Sequence, residues 1–264
     1  MGVVNLVRDA GLAAGLNITR CADREAVLGL IKTLRPMDCG KDLIRIGGNG
    51  DGGYLVPDDL EGIEYCFSPG VGTTTKFESH LATLKIRSFL ADYSVDSLPI
   101  QRPEFTFDKK FLGGDDNETF FTLKSWKDKY LRGYTGELLL QMDIEGFEYE
   151  VIPSTPTDVL NSFRIMVIEF HFLDRLFDPF VHGLVFKPCF EKILSRFYVS
   201  HIHPNNCCGS VKTDGIEIPR VIEFTFYNRN RVAGAREYSE FPHPLDRDNV
   251  TTRRSLRLPR VWYS

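Results

Sequence analysis

The chain has 264 residues, of which 42% are hydrophobic and 26% charged, and it carries a net charge of −4. That length suits one large α/β domain or two small ones, with enough apolar side chains for a sizeable core. The negative balance excludes a global basic field for nucleic acid, and no apolar run approaches the ~20 residues of a bilayer-spanning helix. Met1 to Arg20 lacks the basic start and continuous apolar core of a signal peptide. Six cysteines with no CxxC pair read as reduced thiols, so a cytoplasmic location is expected.

Residues 4–34 read as helical. Val4 and Val7 begin one apolar stripe, and Val27, Leu30, Ile31 and Leu34 form a second, with Asn17 and Thr19 as break and cap. From Asp42 to Pro57 two β-type runs flank the glycine-rich turn Gly47-Gly48-Asn49-Gly50-Asp51-Gly52-Gly53, which predicts a hairpin or tight loop. Its glycines, beside Arg45 and Asp51, either bring backbone close to a ligand or only make a flexible turn. Ile63–Ser68 reads as a strand, Pro69-Gly70-Val71-Gly72 as a turn, Thr73–Leu84 as a helix, and Arg87–Asp92 as a strand ending on a carboxylate. Phe105–Leu112 reads as a further strand and Asp116–Leu131 as a helix.

Leu138-Leu139-Leu140-Gln141-Met142 has the continuous apolar pattern of a strand buried on both faces of a parallel sheet. It breaks into Asp143-Ile144-Glu145-Gly146-Phe147-Glu148 and then a helix start. Carboxylates at the carboxyl end of a buried strand lie where open α/β sheets place ligands. A helix N-terminus dressed with acids to suit its dipole is the simpler reading for Glu145 and Glu148, but not for Asp143. Phe163–His171 is the next strand, Pro188–Phe197 a helix, and Phe197–His203 and Val221–Tyr227 two alternating terminal strands. The order implies an α/β fold with a mainly parallel sheet. Glu237–Pro244 and the end bearing Arg253, Arg254 and Arg257 read as an extension over the surface rather than a nucleic-acid arm.

Gly70 and Gly72 are followed twenty residues later by Asp92, the spacing at which nucleotide-binding sheets turn under a ligand and hold a ribose diol. The third glycine of a dinucleotide fingerprint is replaced by Thr73-Thr74-Thr75, which argues against NAD. Ser68-Pro69-Gly70-Val71-Gly72, Asp92 and Met142-Asp143-Ile144-Glu145-Gly146-Phe147-Glu148 resemble the FkbM type of class I S-adenosylmethionine-dependent methyltransferases. Arg45 with Asp51-Gly52-Gly53-Tyr54, and His203-Pro204-Asn205-Asn206 with Glu223, are similar to a subset of that family. The resemblance spans roughly residues 42–228. It implies a Rossmann-like sheet of seven strands with the last antiparallel, in a methyltransferase domain at 41–228, between a helical extension at 1–40 and a C-terminal surface extension at 229–264.

The resemblance further implies methyl transfer to an oxygen, often a sugar hydroxyl. On it Ser68, Gly70, Gly72 and Asp92 would hold S-adenosylmethionine, with Asp143 at the boundary between cofactor and acceptor. Removing a proton from a sugar hydroxyl needs a base or a metal. Asp143, Glu169, His171 and His203 are the catalytic candidates, with His201 and Glu223 beside them. His171 follows Glu169 on the same side of an extended segment, as His203 follows His201. Asp143, Glu169 and His171 either ligate Mg²⁺ or Mn²⁺, or serve as base and orienting carboxylate. Any one histidine alone reads more simply as structural, and Glu223 reads equally well as a partner of Arg220. The loop from His203 to Pro219 is long enough for part of an acceptor pocket. The expected activity is O-methylation of a small-molecule or glycan acceptor. Its rivals are a non-enzymatic glycan- or partner-binding module and a nucleotide-dependent oxidoreductase.

Overall fold

A computed structural model describes residues 3–16, 18–238 and 240–264. Asn17, expected to break the first helix, lies outside the described residues. The centre is a seven-stranded sheet. In chain order its strands are β1 (Tyr65–Pro69), β2 (Arg87–Ala91), β3 (Phe105–Asp108), β4 (Leu138–Met142), β5 (Phe163–Phe170), β6 (Phe197–Pro204) and β7 (Ile222–Asn228). Across the sheet they run β6-β7-β5-β4-β1-β2-β3. Strands β1 to β5 pair in parallel, and β7 alone runs against its neighbours β5 and β6. This is a Rossmann-like α/β sheet, mainly parallel as the residue pattern predicts, with the antiparallel last strand that the family resemblance implies.

The unbroken apolar runs are explained by burial on both faces. All five residues of β4 and all eight of β5 are buried. Side chains alternate across the pleat. Leu138, Leu140 and Met142 therefore enter one core with Trp126, Phe163 and Phe190, and Leu139 enters the other with Phe77, Leu81 and Ile165. The chain leaves β1 towards β2 and β3, then returns to start β4 on the opposite side of β1. Such a reversal opens a crevice at the carboxyl ends of the two strands. There the Asp143 amide donates to the Pro69 carbonyl at 3.3 Å, and a Cβ on Gly70 would collide with the Asp143 carbonyl.

The helices are shorter than the periodicity predicts: two start later, after residues that form turns and caps, and the third ends earlier, where the chain turns into β6. The Thr73–Leu84 pattern becomes the helix Lys76–Thr83. The Asp116–Leu131 pattern becomes Leu123–Leu131, with Asp116 accepting from the Thr122 amide at 2.9 Å. The Pro188–Phe197 pattern becomes Lys187–Leu194, and Phe197 already belongs to β6. The expected strand Phe105–Leu112 is split into β3 and a short Phe111–Leu112 strand paired with Phe120–Phe121. Asp23 rather than Thr19 caps the second N-terminal helix, Arg24–Thr33, accepting from the Ala26 amide at 2.9 Å. The hairpin at 42–57 forms as expected, with Leu43–Ile46 antiparallel to Tyr54–Pro57.

Two segments differ from a loop and a surface layer. The His203–Pro219 connection contains a second hairpin, Ser210–Thr213 against Ile216–Pro219. Its turn residues Asp214 and Gly215 both have positive φ, which suits a tight two-residue connection. Its start reaches the polar row at the strand ends, where Asn205 donates to Glu169 at 2.9 Å. The C-terminal segment is anchored: Arg236–Glu237 pairs with Met37–Asp38, and Trp262 is fully buried in the main core. Among the described residues no helix is long and apolar enough to cross a membrane.

Removing the Trp262 indole from this packed site should cost about 3–5 kcal/mol. Urea unfolding of Trp262→Ala is expected to show a clearly lower midpoint; an unchanged midpoint would mean that the tail contributes nothing to the core.

Candidate functional site

A cavity of about 510 Å³ lies at the crevice between β1 and β4. Gly70, Gly72 and Asp92 line one side, and Asp143, Ile144 and Phe147 the other. Asp51 and Tyr54 of the glycine-rich hairpin close one end, and Phe111 and Phe120 supply an aromatic wall. The Gly70-Val71-Gly72 turn is held open by Asp92 at the end of β2. One Asp92 oxygen accepts from the Gly72 amide at 2.8 Å, and the other from the Ser94 amide at 2.8 Å and hydroxyl at 2.6 Å. Gly70 has φ +84 and Gly72 φ +52, conformations that the turn needs and that glycine adopts without steric cost. Ser68 does not line the cavity. It is fully buried beneath it, sharing a hydrogen bond with Glu78 and lying 2.6 Å from Gln141 Oε1. Burial pushes the Glu78 carboxyl up, against the lowering effect of its bond to Ser68.

Beyond β4 the chain does not enter a helix directly. Glu145 (φ +55) and Gly146 (φ +105) form a left-handed turn. The Glu148 carboxylate, wholly buried, folds back to accept from the amides of Ile144 at 3.2 Å and Gly146 at 3.3 Å. The same Oε1 stands 3.2 Å from His171 Nδ1. Glu148 is thus more than a dressed helix start: it shapes the turn and orients an imidazole. The other ring nitrogen, Nε2, faces Glu145 Oε2 at 3.4 Å, Asp143 Oδ1 at 3.6 Å and Glu169 Oε1 at 3.8 Å.

The strand register continues this polar row. Met142 pairs with Ile168, so Asp143 and Glu169 follow at adjacent strand ends; Glu169 pairs with Glu223, and Glu223 with His203. Asn205 donates to Glu169 at 2.9 Å, and Asn249 from the tail donates to Glu223 at 2.5 Å. Asp246, also from the tail, lies 2.8 Å from His201 Nε2 and 3.5 Å from His203 Nδ1. Arg45 ties the hairpin loop to the tail through the carbonyls of Gly48 (2.7 Å), Gly50 (3.2 Å) and Leu245 (3.4 Å). The expected pairing of Glu223 with Arg220 does not occur. Arg220 instead reaches Asp174 at 3.5 Å, because residues three apart on an extended chain point to opposite sides.

All four catalytic candidates therefore meet at one sheet edge, and the cofactor candidates other than Ser68 meet at the cavity. Glu148, Asp246 and Asn249 complete the edge, beyond the residues that the sequence pattern singles out as site residues. Glu148 was visible in the acidic block itself. Asp246 and Asn249 come from a tail 45 and 26 residues away in sequence from their partners His201 and Glu223, a closure that no local pattern announces. Several buried atoms of this edge have no hydrogen-bond partner among the described residues: Asp143 Oδ1, Glu169 Oε2, His203 Nε2 and Asn249 Oδ1. No protein-family model matches the chain, and no curated protein is significantly similar to it.

The electrostatics follow from burying like charges together. Burial pushes the Asp143 carboxyl up to about 7; His171 opposes the rise, and Glu145, Glu148 and Asp51 add to it. Burial likewise holds Glu223 up at about 6 against His203, Asn249 and Arg45, and holds Glu169 well above the usual carboxylate range with help from Asp143 and Glu223. Burial alone would lower His171 and His203, but the Glu148 contact and the surrounding acids raise His171, and Asp246 and Glu223 raise His203.

All these groups hold protons more tightly in the fold than in the unfolded chain. The stability they add is complete below the unfolded carboxylate values near pH 4 and is lost as pH rises through about 6 and 7. Asp246 is shifted down, but its effect falls below about pH 4, outside that window. The ligand-free protein should therefore melt lower at pH 8 than at pH 5, by at least about 2–4 °C for each kcal/mol lost. Asp143→Asn should flatten the dependence. Calorimetric melting across that range checks both, and a melting temperature that rises from pH 5 to 8 would contradict them.

Proposed function

We propose that this protein is an S-adenosylmethionine-dependent O-methyltransferase acting on a hydroxyl of a sugar or glycan-like small molecule. The observation that carries the reading is the position of the cavity. It lies at the switch point of the sheet, over a glycine turn tied to the carboxylate at the end of β2, and its wall at the end of β4 includes Asp143, whose Oδ1 stands 3.6 Å from His171 Nε2. The strand order, with β7 inserted antiparallel between β5 and β6, agrees with what the family resemblance implies. The cavity volume lies within the range of small-ligand sites.

The residues fit this cofactor by chemistry. Asp92 offers its remaining lone pairs to ribose hydroxyls, and the Phe111 and Phe120 wall suits a purine face. When bound, the cofactor supplies an electrophilic methyl group on a sulfonium. The chain's own task is to orient an acceptor hydroxyl, exclude water and take up its proton. Asp143, whose carboxyl is held near neutrality, suits that proton transfer, with Glu169 and His171 beside it. His203, Asn205 and Asn249 add mixed donors and acceptors suited to a polyhydroxyl acceptor. Three threonines in place of the last fingerprint glycine still weigh against a nicotinamide dinucleotide.

Parallel calorimetry with S-adenosylhomocysteine and NADH should show binding of the first only. Asp92→Ala should weaken that binding by about 2–4 kcal/mol, the loss of two charge-assisted hydrogen bonds; unchanged affinity would remove Asp92 from the site. Asp143→Asn should bind S-adenosylhomocysteine nearly as well as the parent yet lose most turnover. Labelled methyl is expected in saccharide acceptors. Its recovery only in RNA or polypeptide would overturn the acceptor class.

A further inference from the structure

We propose that Asp143, Glu145 and His171, with Glu169 as a fourth donor, bind a divalent cation of the Mg²⁺/Mn²⁺ class. One carboxylate oxygen from Asp143, one from Glu145 and a nitrogen of His171 lie within 4.8 Å of one another. Donors in an octahedral shell at about 2.1 Å stand about 3 Å apart when adjacent and about 4.2 Å apart when opposite. The separations from His171 Nε2, 3.4 Å to Glu145, 3.6 Å to Asp143 and 3.8 Å to Glu169, fall in that interval.

The tautomer is prepared for ligation. Nδ1 is engaged by Glu148 Oε1, leaving Nε2 to face the three carboxylates. A carboxylate behind a metal-binding imidazole is the usual way of fixing its ring orientation. A histidinium alone does not satisfy the group. It has two N–H donors. One belongs to Glu148, and the other can serve only one of the three oxygens that face it. The consequence is visible at Asp143 Oδ1, an atom facing Nε2 that has no partner among the described residues; Glu169, only 4% exposed, has its Oε1 held by Asn205 at 2.9 Å and its Oε2 also without a partner among them. A divalent cation would satisfy several such oxygens at once. Three oxygens and one imidazole make a mainly hard donor set, which favours Mg²⁺ or Mn²⁺ over thiolate-seeking ions.

Binding of the cation does not depend on the methyltransferase reading. Its use there does rest on it: Asp143 and Glu145 also line the cavity, so the cation would stand where an acceptor hydroxyl must lose its proton. The test uses the full chain stripped with EDTA. Mn²⁺ is titrated by electron paramagnetic resonance, which reads loss of the free-ion signal, and Mg²⁺ by the rise in melting temperature. One Mn²⁺ per chain is expected, with affinity at least about tenfold weaker in His171→Asn, Asp143→Asn and Glu145→Gln. The Glu145 side chain is 84% exposed, so its substitution leaves folding intact. A free-ion signal that persists in the parent chain, or equal affinity in Glu145→Gln and His171→Asn, would overturn the site and leave the imidazole as the only cation of the cluster. Methyl transfer undiminished in EDTA, with no Mn²⁺ bound, would remove the cation and keep the methyltransferase. Tight Mn²⁺ binding with no methyl transfer would keep the site and remove that reading.

Discussion

The structure turns on burying carboxylates side by side at the carboxyl ends of β4 and β5 and the amino end of the antiparallel β7. Asp143, Glu169 and Glu223 follow from the strand register alone, since each ends or borders an apolar run that must be buried to hold the sheet. Once the register is set, the acids cannot avoid one another. The chain meets this cost with His171 and His203, with the amides of Asn205 and Asn249, and with protons that the acids retain near neutrality. Replacing such a cluster with apolar side chains would make a more stable fold. Groups held in so costly an arrangement are the natural place to look for chemistry.

The rest of the molecule is arranged around that edge. The glycine-rich hairpin brings Asp51 and Tyr54 over the cavity. Arg45 pins its loop to the tail, and the tail delivers Asp246 and Asn249 to the row. The anchor of the tail lies elsewhere, with Trp262 in the main core and its indole N–H donating to the Glu217 carbonyl at 3.2 Å. Packing in the core and closure of the site are therefore coupled through one segment. The second hairpin serves the same end by fixing where Asn205 and Asn206 begin; Asn206 exchanges hydrogen bonds with Val250 at 2.8 Å and 3.0 Å.

The sheet was legible in the sequence because doubly buried strands leave mainly apolar runs, and 138–142 and 165–168 are such runs. The acidic ends of these strands were legible for the same reason, since the break from apolar to charged marks where the strand leaves the core. Helix starts were less so. Thr73 to Thr75 and Asp116 to Thr122 have residues that fit a helical period but are spent on turns and caps. Asp214-Gly215 carried a hairpin signal inside what reads as one long loop. Glu148 shows a different limit: its spacing suits a helix N-terminus, and only the left-handed turn at Glu145 and Gly146 reveals that it faces inward to His171. The contributions of Asp246 and Asn249 depend on tertiary closure and leave no periodic trace.

One cavity adjoins one row of buried polar groups, and the proposed cofactor would place its nucleoside on the Asp92 side and its reacting end towards Asp143. A crystal structure grown with S-adenosylhomocysteine tests that directly. Ribose hydroxyls are expected on the Asp92 carboxylate, the adenine against Phe111 and Phe120, and the sulfur facing Asp143. An empty cavity at saturating ligand, or a nucleoside bound away from the Gly70-Val71-Gly72 turn, would contradict it.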